Sequence, residues 1–147
     1  MPRLPSFFVA LLCMAAGAAQ AVDYRSVEPA AAILYDTPSQ KGKKLYLIKA
    51  LTPVELVVRL EGWSKIRDAE GTLAWIESKY LVEKRTVLVT STRGEVRQSD
   101  HPEAALVLEV DKWVVLDYLD KATTGWVKVR HRDGVTGFIR SQQVWGL

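Results

Sequence analysis

The apolar residues of this chain fall in short β-branched runs and alternating stretches, each closed by a polar turn. Val54-Glu55-Leu56-Val57-Val58-Arg59-Leu60 is β-branched and apolar and runs straight into a turn at Glu61-Gly62, the pattern of a strand closed by a hairpin. Further on, Val127 and Val129 alternate with Trp126, Lys128 and Arg130, the period of two expected of a half-buried strand. The polar turns Asp68-Ala69-Glu70-Gly71 and Arg132-Asp133-Gly134 lead into apolar segments at Leu73 to Ile76 and Thr136 to Ile139, and each reads as a hairpin. No stretch of helical period is long enough for an amphipathic helix, and Pro38, Pro53 and Pro102 punctuate the segments before the hairpins. Short strands at close spacing predict an all-β chain built as a small barrel or sandwich.

The pattern occurs twice. Residues 62–81 return at 125–144 at an offset of 63, with seven of twenty positions identical, among them Gly62/Gly125, Trp63/Trp126, Lys65/Lys128, Arg67/Arg130 and Ile76/Ile139. Self-similarity at a fixed period marks a repeated structural unit. Division at the charged segment Glu83-Lys84-Arg85 gives units at 22–82 and 83–147, each small enough that its core is marginal alone. Packing of one unit on the other is therefore expected.

Residues 1–21 read as a secretory signal cut before Val22, with a basic start at Arg3, an apolar stretch from Phe7 through Ala19 and the small-residue end Ala19-Gln20-Ala21. The stretch is short for a membrane span, so no stable membrane insertion is expected after cleavage. A lipoprotein reading of Cys13 fails because Leu12 stands where a small residue is needed. With the signal gone no cysteine remains, which excludes a disulfide, a thiolate nucleophile and a cysteine zinc site. Beyond residue 21, nineteen Lys and Arg face seventeen Asp and Glu, a net charge of +2. The charges are mixed, and Lys41, Lys43 and Lys44 form the one tight basic group, which argues against a nucleic-acid partner.

The repeated Gly-Trp-x-Lys-Val/Ile-Arg, the Gly-ended turn, the small residue followed by an aromatic and Ile, and the ending Phe138 to Leu147 resemble the bacterial SH3 (SH3b) domains of exported and cell-envelope proteins. The resemblance covers nearly all of residues 24–147 and implies two tandem SH3-like β-barrels, each five-stranded and partly open. In the first unit Leu34-Tyr35-Asp36 resembles the Ala-Leu-Tyr-Asp-Tyr stretch of the wider SH3 pattern, and Ala74 to Leu81 resembles Gly-Tyr-Ile-Pro-Ser-Asn-Tyr-Val. The resemblance implies that Tyr35, Trp63 and Tyr80 line a groove for an extended ligand. Glu77 stands in place of the groove's proline, Thr37 in place of its second aromatic, and Gln143 replaces the tyrosine in the second unit.

The alternation adds a physical expectation of its own. If Ile66 and Val129 point inward, Trp63 and Trp126 share the outward face with Lys65, Arg67, Lys128 and Arg130. An indole beside cationic stems suits a sugar or a peptide. The competing reading has each Trp covering its own rim or the contact between units. Trp75 and Phe138 are expected in the cores, Trp113 at an inter-unit contact, and Trp145 pinning the chain end.

Nothing in the sequence builds a catalytic or metal motif. His101 and His131 are the only histidines and lack metal-ligand spacing, and Asp117 and Asp120 are expected in a solvated turn. The expectation is a non-enzymatic, cofactor-free periplasmic or secreted binding module. It engages a cell-wall fragment or an envelope protein through Tyr35, Trp63, Lys65, Arg67, Tyr80 and Trp126. The alternative is an assembly module with occluded grooves.

Overall fold

The computed structural model describes residues 20–121 and 123–147; apart from its last two residues, the expected signal lies outside them. The first unit comprises β1 (Tyr24–Val27), β2 (Ala32–Tyr35), β3 (Lys44–Ile48), β4 (Pro53–Arg59), β5 (Trp63–Arg67), β6 (Leu73–Glu77), a 3₁₀ turn (Ser78–Tyr80) and β7 (Leu81–Val82). The second repeats this order as β8 (Thr86–Val89), β9 (Arg93–Arg97), β10 (Leu106–Asp111), β11 (Val115–Lys121), β12 (Trp126–Arg130), β13 (Thr136–Arg140), a 3₁₀ turn (Ser141–Gln143) and β14 (Val144–Trp145). The fold is all-β, as the alternation predicts.

Both units share one topology. The sheets run β3-β2-β6-β5-β4-β1-β7 and β10-β9-β13-β12-β11-β8-β14, with every pairing antiparallel. Each rolls round a single core without closing, because its end strands do not pair with each other. Seven strands appear where five are implied. The difference is the short β1, which bridges β4 and β7, and the two-residue β7 that follows the 3₁₀ turn. Bulges at Leu56/Val58 and Tyr118/Asp120 bend the long strands β4 and β11, a device that increases local twist.

In β12, as its period of two predicts, Val127 and Val129 point inward, whereas the apolar run of β4 is buried only at its start and leaves Val57, Val58 and the following Leu60 exposed. The first core holds Val27, Leu34, Val54, Ile66 and Ile76, and the second holds Val87, Val89, Leu116, Val129 and Ile139. Trp75 and Phe138 depart from expectation: both are half-buried, on the outward faces of β6 and β13, while Ala74/Gly137 and Ile76/Ile139 point inward. Strand parity decides this, since a residue beside a core Ile cannot share its face. Asp117 and Asp120 lie in β11, not in a turn, and His131 lies just after β12.

The repeat offset is 62 before β5 and 63 after it, because the β11–β12 connection, residues 122–125, is one residue longer than residues 60–62. Trp113 therefore corresponds to Leu51. The two residues share a left-handed backbone, with φ of 72° and 66°, which is uncommon for bulky side chains. Their N–H groups donate to Val89 O and Val27 O at 2.8 and 2.6 Å, so the turn is the same device in both units.

The units are joined by packing as well as by chain. Arg85 donates to the Gly146 carbonyl at 2.7 Å, and its guanidinium stacks over Tyr24 of the first unit and Tyr118 of the second, 5.5 and 5.0 Å from the ring centroids. Trp145 meets Tyr24 edge-on at 5.1 Å, so it pins the chain end and also touches the other unit. Burial, with Glu55 adding to it, pushes the Tyr24 phenol up. The buried hydroxyls at the seam are satisfied: Ser26 donates to Lys84 O at 2.9 Å and Thr86 to Leu51 O at 2.7 Å. At Gly146 (φ 113°) a Cβ would meet Thr86 O at 3.0 Å and Pro53 Cβ at 3.3 Å, so glycine lets the C-terminal strand approach the first unit.

Candidate functional site

Outward positions on four neighbouring strands of the first unit form a continuous row. Val58 on β4 pairs with Lys65 on β5, Lys65 with Trp75 on β6, and Trp75 with Tyr35 on β2. The Lys65 ammonium lies 5.8 Å from the Trp75 ring centroid. One step along β5, Trp63 pairs with Glu77 and meets the Tyr35 ring edge-on at 5.4 Å. Ser64 and Ile66, the alternating residues, face inward.

The structure thus brings Tyr35, Trp63 and Lys65 together on one face and adds Trp75, which sequence reasoning had assigned to the core. The signal was present in the strict alternation of Trp75 with Ile76. Tyr35 is only 6% exposed; it supports Trp63 from below more than it offers a surface. Arg67 shares the face but is held by Glu55 at 2.7 Å, whereas among the described residues no carboxylate pairs with Lys65. Tyr80 is half-buried against the first core, with the Lys79 ammonium 5.1 Å from its ring.

Glu77, beside Trp63, takes a hydrogen bond from Gln40 Nε2 at 3.1 Å and an ion pair from Lys79 at 3.0 Å. It ties the β2–β3 connection to the end of β6. Lys79 first, and Gln40 second, hold its carboxyl below the usual carboxylate range. The stabilisation from a depressed acid is present above its unfolded-state pKa and lost as pH falls through the folded one. Acidification below the ordinary glutamate range is therefore expected to release Gln40 and alter Trp63 emission, with Glu77→Gln abolishing that transition; a pH titration of tryptophan fluorescence checks it.

The second unit carries a different face on the same frame. Its row reads Asp120, Lys128, Phe138, Arg97, charged at its two ends where the first unit has Val58 and Tyr35. Opposite Trp126 stands Arg140 in place of Glu77, its guanidinium 5.0 Å from the indole centroid. Trp126 is 7% exposed. Trp126 keeps the outward parity expected of it but is covered, as in the competing reading: its neighbour Arg140 caps it with a cation, a substitution that a Trp-to-Trp alignment does not register. Arg97, in the place of Tyr35, is spent on Glu95 and the Ala104 carbonyl at 2.6 and 2.9 Å.

Among the described residues, no group of three or more His, Cys, Asp or Glu could hold a metal ion. His131 sits 2.9 Å from Asp133 in its turn. The Asp133 carboxyl is lowered chiefly by the Val135 N–H and secondly by His131. Asp117 is paired with Arg130 at 3.0 Å and Lys84 at 3.4 Å. These are turn and strand contacts, and no described helix is long and apolar enough to cross a membrane.

A tandem pair of rolled antiparallel sheets, each with a 3₁₀ turn before its last strand and one with an aromatic outer face, defines an SH3-like double module. The chain belongs to the bacterial SH3 domain family, whose model matches residues 28–83 and again 91–146. Among solved structures it is similar to NlpC2 of Trichomonas vaginalis, at 14% identity over 86% of this chain and 48% of that one, TM-score 0.39. It is also similar to NlpC1 of the same organism, at 15% identity over 93% and 50%, TM-score 0.40. A third is an NlpC/P60 family protein from Bacillus cereus ATCC 10987, at 16% identity over 83% and 55%, TM-score 0.39. The chain spans about half the length of these structures. No curated protein matches it.

Proposed function

We propose that this protein is a non-catalytic, exported or periplasmic binding module that engages an extended envelope ligand on the outer face of its first SH3 unit. The ligand is a cell-wall peptide or glycan, or a segment of an envelope protein. The observation that carries this reading is the contrast between the two tryptophans: Trp63 is only partly buried, on the face it shares with Trp75 and Lys65, while Trp126 is buried under Arg140. Trp63 and Trp75 supply flat apolar area at small entropic cost. Lys65 is the cation left to meet a ligand carboxylate, since Arg67 is engaged by Glu55. Tyr35 backs Trp63, and the Tyr80 side of the face stays near Glu77 and Lys79 through the 3₁₀ turn. For the second unit the capped Trp126 and the packed seam favour the alternative, an assembly role.

Co-sedimentation of the purified protein with insoluble cell-wall sacculi tests the proposal. Trp63→Ala is expected to weaken saturable pelleting by about 2 kcal/mol, roughly thirtyfold, as for a central aromatic anchor, with the circular dichroism spectrum unchanged. Pelleting by the variant equal to that of the parent would remove Trp63 from the site; absence of pelleting by the parent would direct the search to envelope proteins.

A further inference from the structure

β3 is the free edge of the first sheet: it is hydrogen-bonded to β2 on one side only. Its three central residues, Leu45, Tyr46 and Leu47, are 38%, 39% and 62% exposed. Natural edges are usually blunted by charge, proline or a covering segment, because an open apolar edge templates another strand. The equivalent edge of the second unit has such a guard: Glu109, the counterpart of Leu47, is paired with Arg93 at 3.2 Å. No charge interrupts the centre of β3.

Charge around β3 is polarised along its length. Lys41, Lys43 and Lys44 stand at its N-terminal end. At its C-terminal end Asp68 and Glu70 outnumber the one cation there, Lys49, and line with it a cleft of about 360 Å³ beside Tyr46 and Leu47, walled on the far side by Trp113 of the second unit. The Tyr46 hydroxyl donates to Asp68. A strand that complements this edge runs antiparallel to it, is apolar at its centre and brings cations to the acidic end. β3 itself meets all three conditions.

We propose that a second copy of this chain adds its β3 antiparallel to β3, about a two-fold axis near Tyr46. In that register Leu45 lies opposite the second copy's Leu47, and the lysines of each copy approach Asp68 and Glu70 of the other. Main-chain hydrogen bonds supply the pairing, as in strand addition generally, and the contact is isologous, so it closes as a dimer. The paired edge is separate from the Trp63 face.

Sedimentation velocity over a wide concentration series tests it. The parent is expected to pass from monomer to dimer, and Leu47→Glu, which copies the residue the second unit carries there, to weaken dimerisation about tenfold or more. Lys44→Glu and Glu70→Lys are each expected to weaken the dimer and, combined in one chain, to restore it, a coupling that a merely structural role would not produce. A chain that stays monomeric at every concentration, or a dimer indifferent to Leu47→Glu with its circular dichroism unchanged, would overturn the proposal. The first outcome would leave the edge to a strand of another protein.

Discussion

Ile66→Ala is expected to destabilise the first unit by about 2–5 kcal/mol, the range for truncating a fully buried aliphatic side chain. Ile66 is 0% exposed and pairs with Leu56 and Ala74 at the middle of the rolled sheet. It sits among Val27, Leu34, Val54 and Ile76, on neighbouring strands that cannot easily collapse into the space of the three deleted carbons. A unit of this size has only about 3–5 kcal/mol to lose, so the substitution should leave it unfolded or nearly so at ambient temperature. Urea denaturation followed by tryptophan fluorescence, with Trp63 and Trp75 reporting on this unit, measures the loss. A shift below about 1 kcal/mol would mean that the space around Ile66 is not closed. Trp63→Ala provides the contrast: two positions of β5 with opposite parity are expected to affect binding alone in one case and folding in the other.

Arg85→Ala is expected to cost about 2–3 kcal/mol, combining one hydrogen bond from a charged donor with stacking over two aromatic rings at partly covered sites. The loss falls on the seam and on neither core. Arg85 joins Tyr24 of the first unit to Tyr118 and Gly146 of the second, and the ion pairs of Lys84 with Glu28 and Asp117, at 3.8 and 3.4 Å, add little at partly exposed positions. The parent should therefore unfold in one transition, and the variant in two that separate the units. Calorimetry distinguishes these outcomes. A variant that still melts in a single step at the parent's temperature would show that Trp145 and the backbone contacts hold the seam without the guanidinium.

The alternation of Ile66 and Val129 with their neighbours, together with the self-match, was enough to read two all-β units and to place Trp63 and Lys65 on one outward face. Trp75 was misjudged by composition, since an apolar run between a turn and a 3₁₀ turn reads as core throughout; parity with Ile76 corrects it. The fate of Trp126 depends on the cross-strand residue, fourteen positions away at Arg140, and a motif aligned along the chain carries no such pairing. The pairing of Arg67 with Glu55 likewise follows from sheet register. The counterpart of Trp113 was hidden by one extra residue in residues 122–125, which shifts the repeat by one position without disturbing either pattern.

The exchange of Glu77 for Arg140 opposite the two tryptophans has a consequence for valency. Each repeat supplies the same indole at the same strand position; Arg140 lies over the one, while Glu77 opposite the other turns to Gln40 and Lys79. If the Trp63 face binds as proposed, the protein presents one gripping face per chain despite its duplicated frame, and forgoes the avidity that two tethered faces would give through effective concentration. Affinity for a repetitive polymer is then set by how many chains gather on it, and one cross-strand position per repeat is where the number of grips is decided.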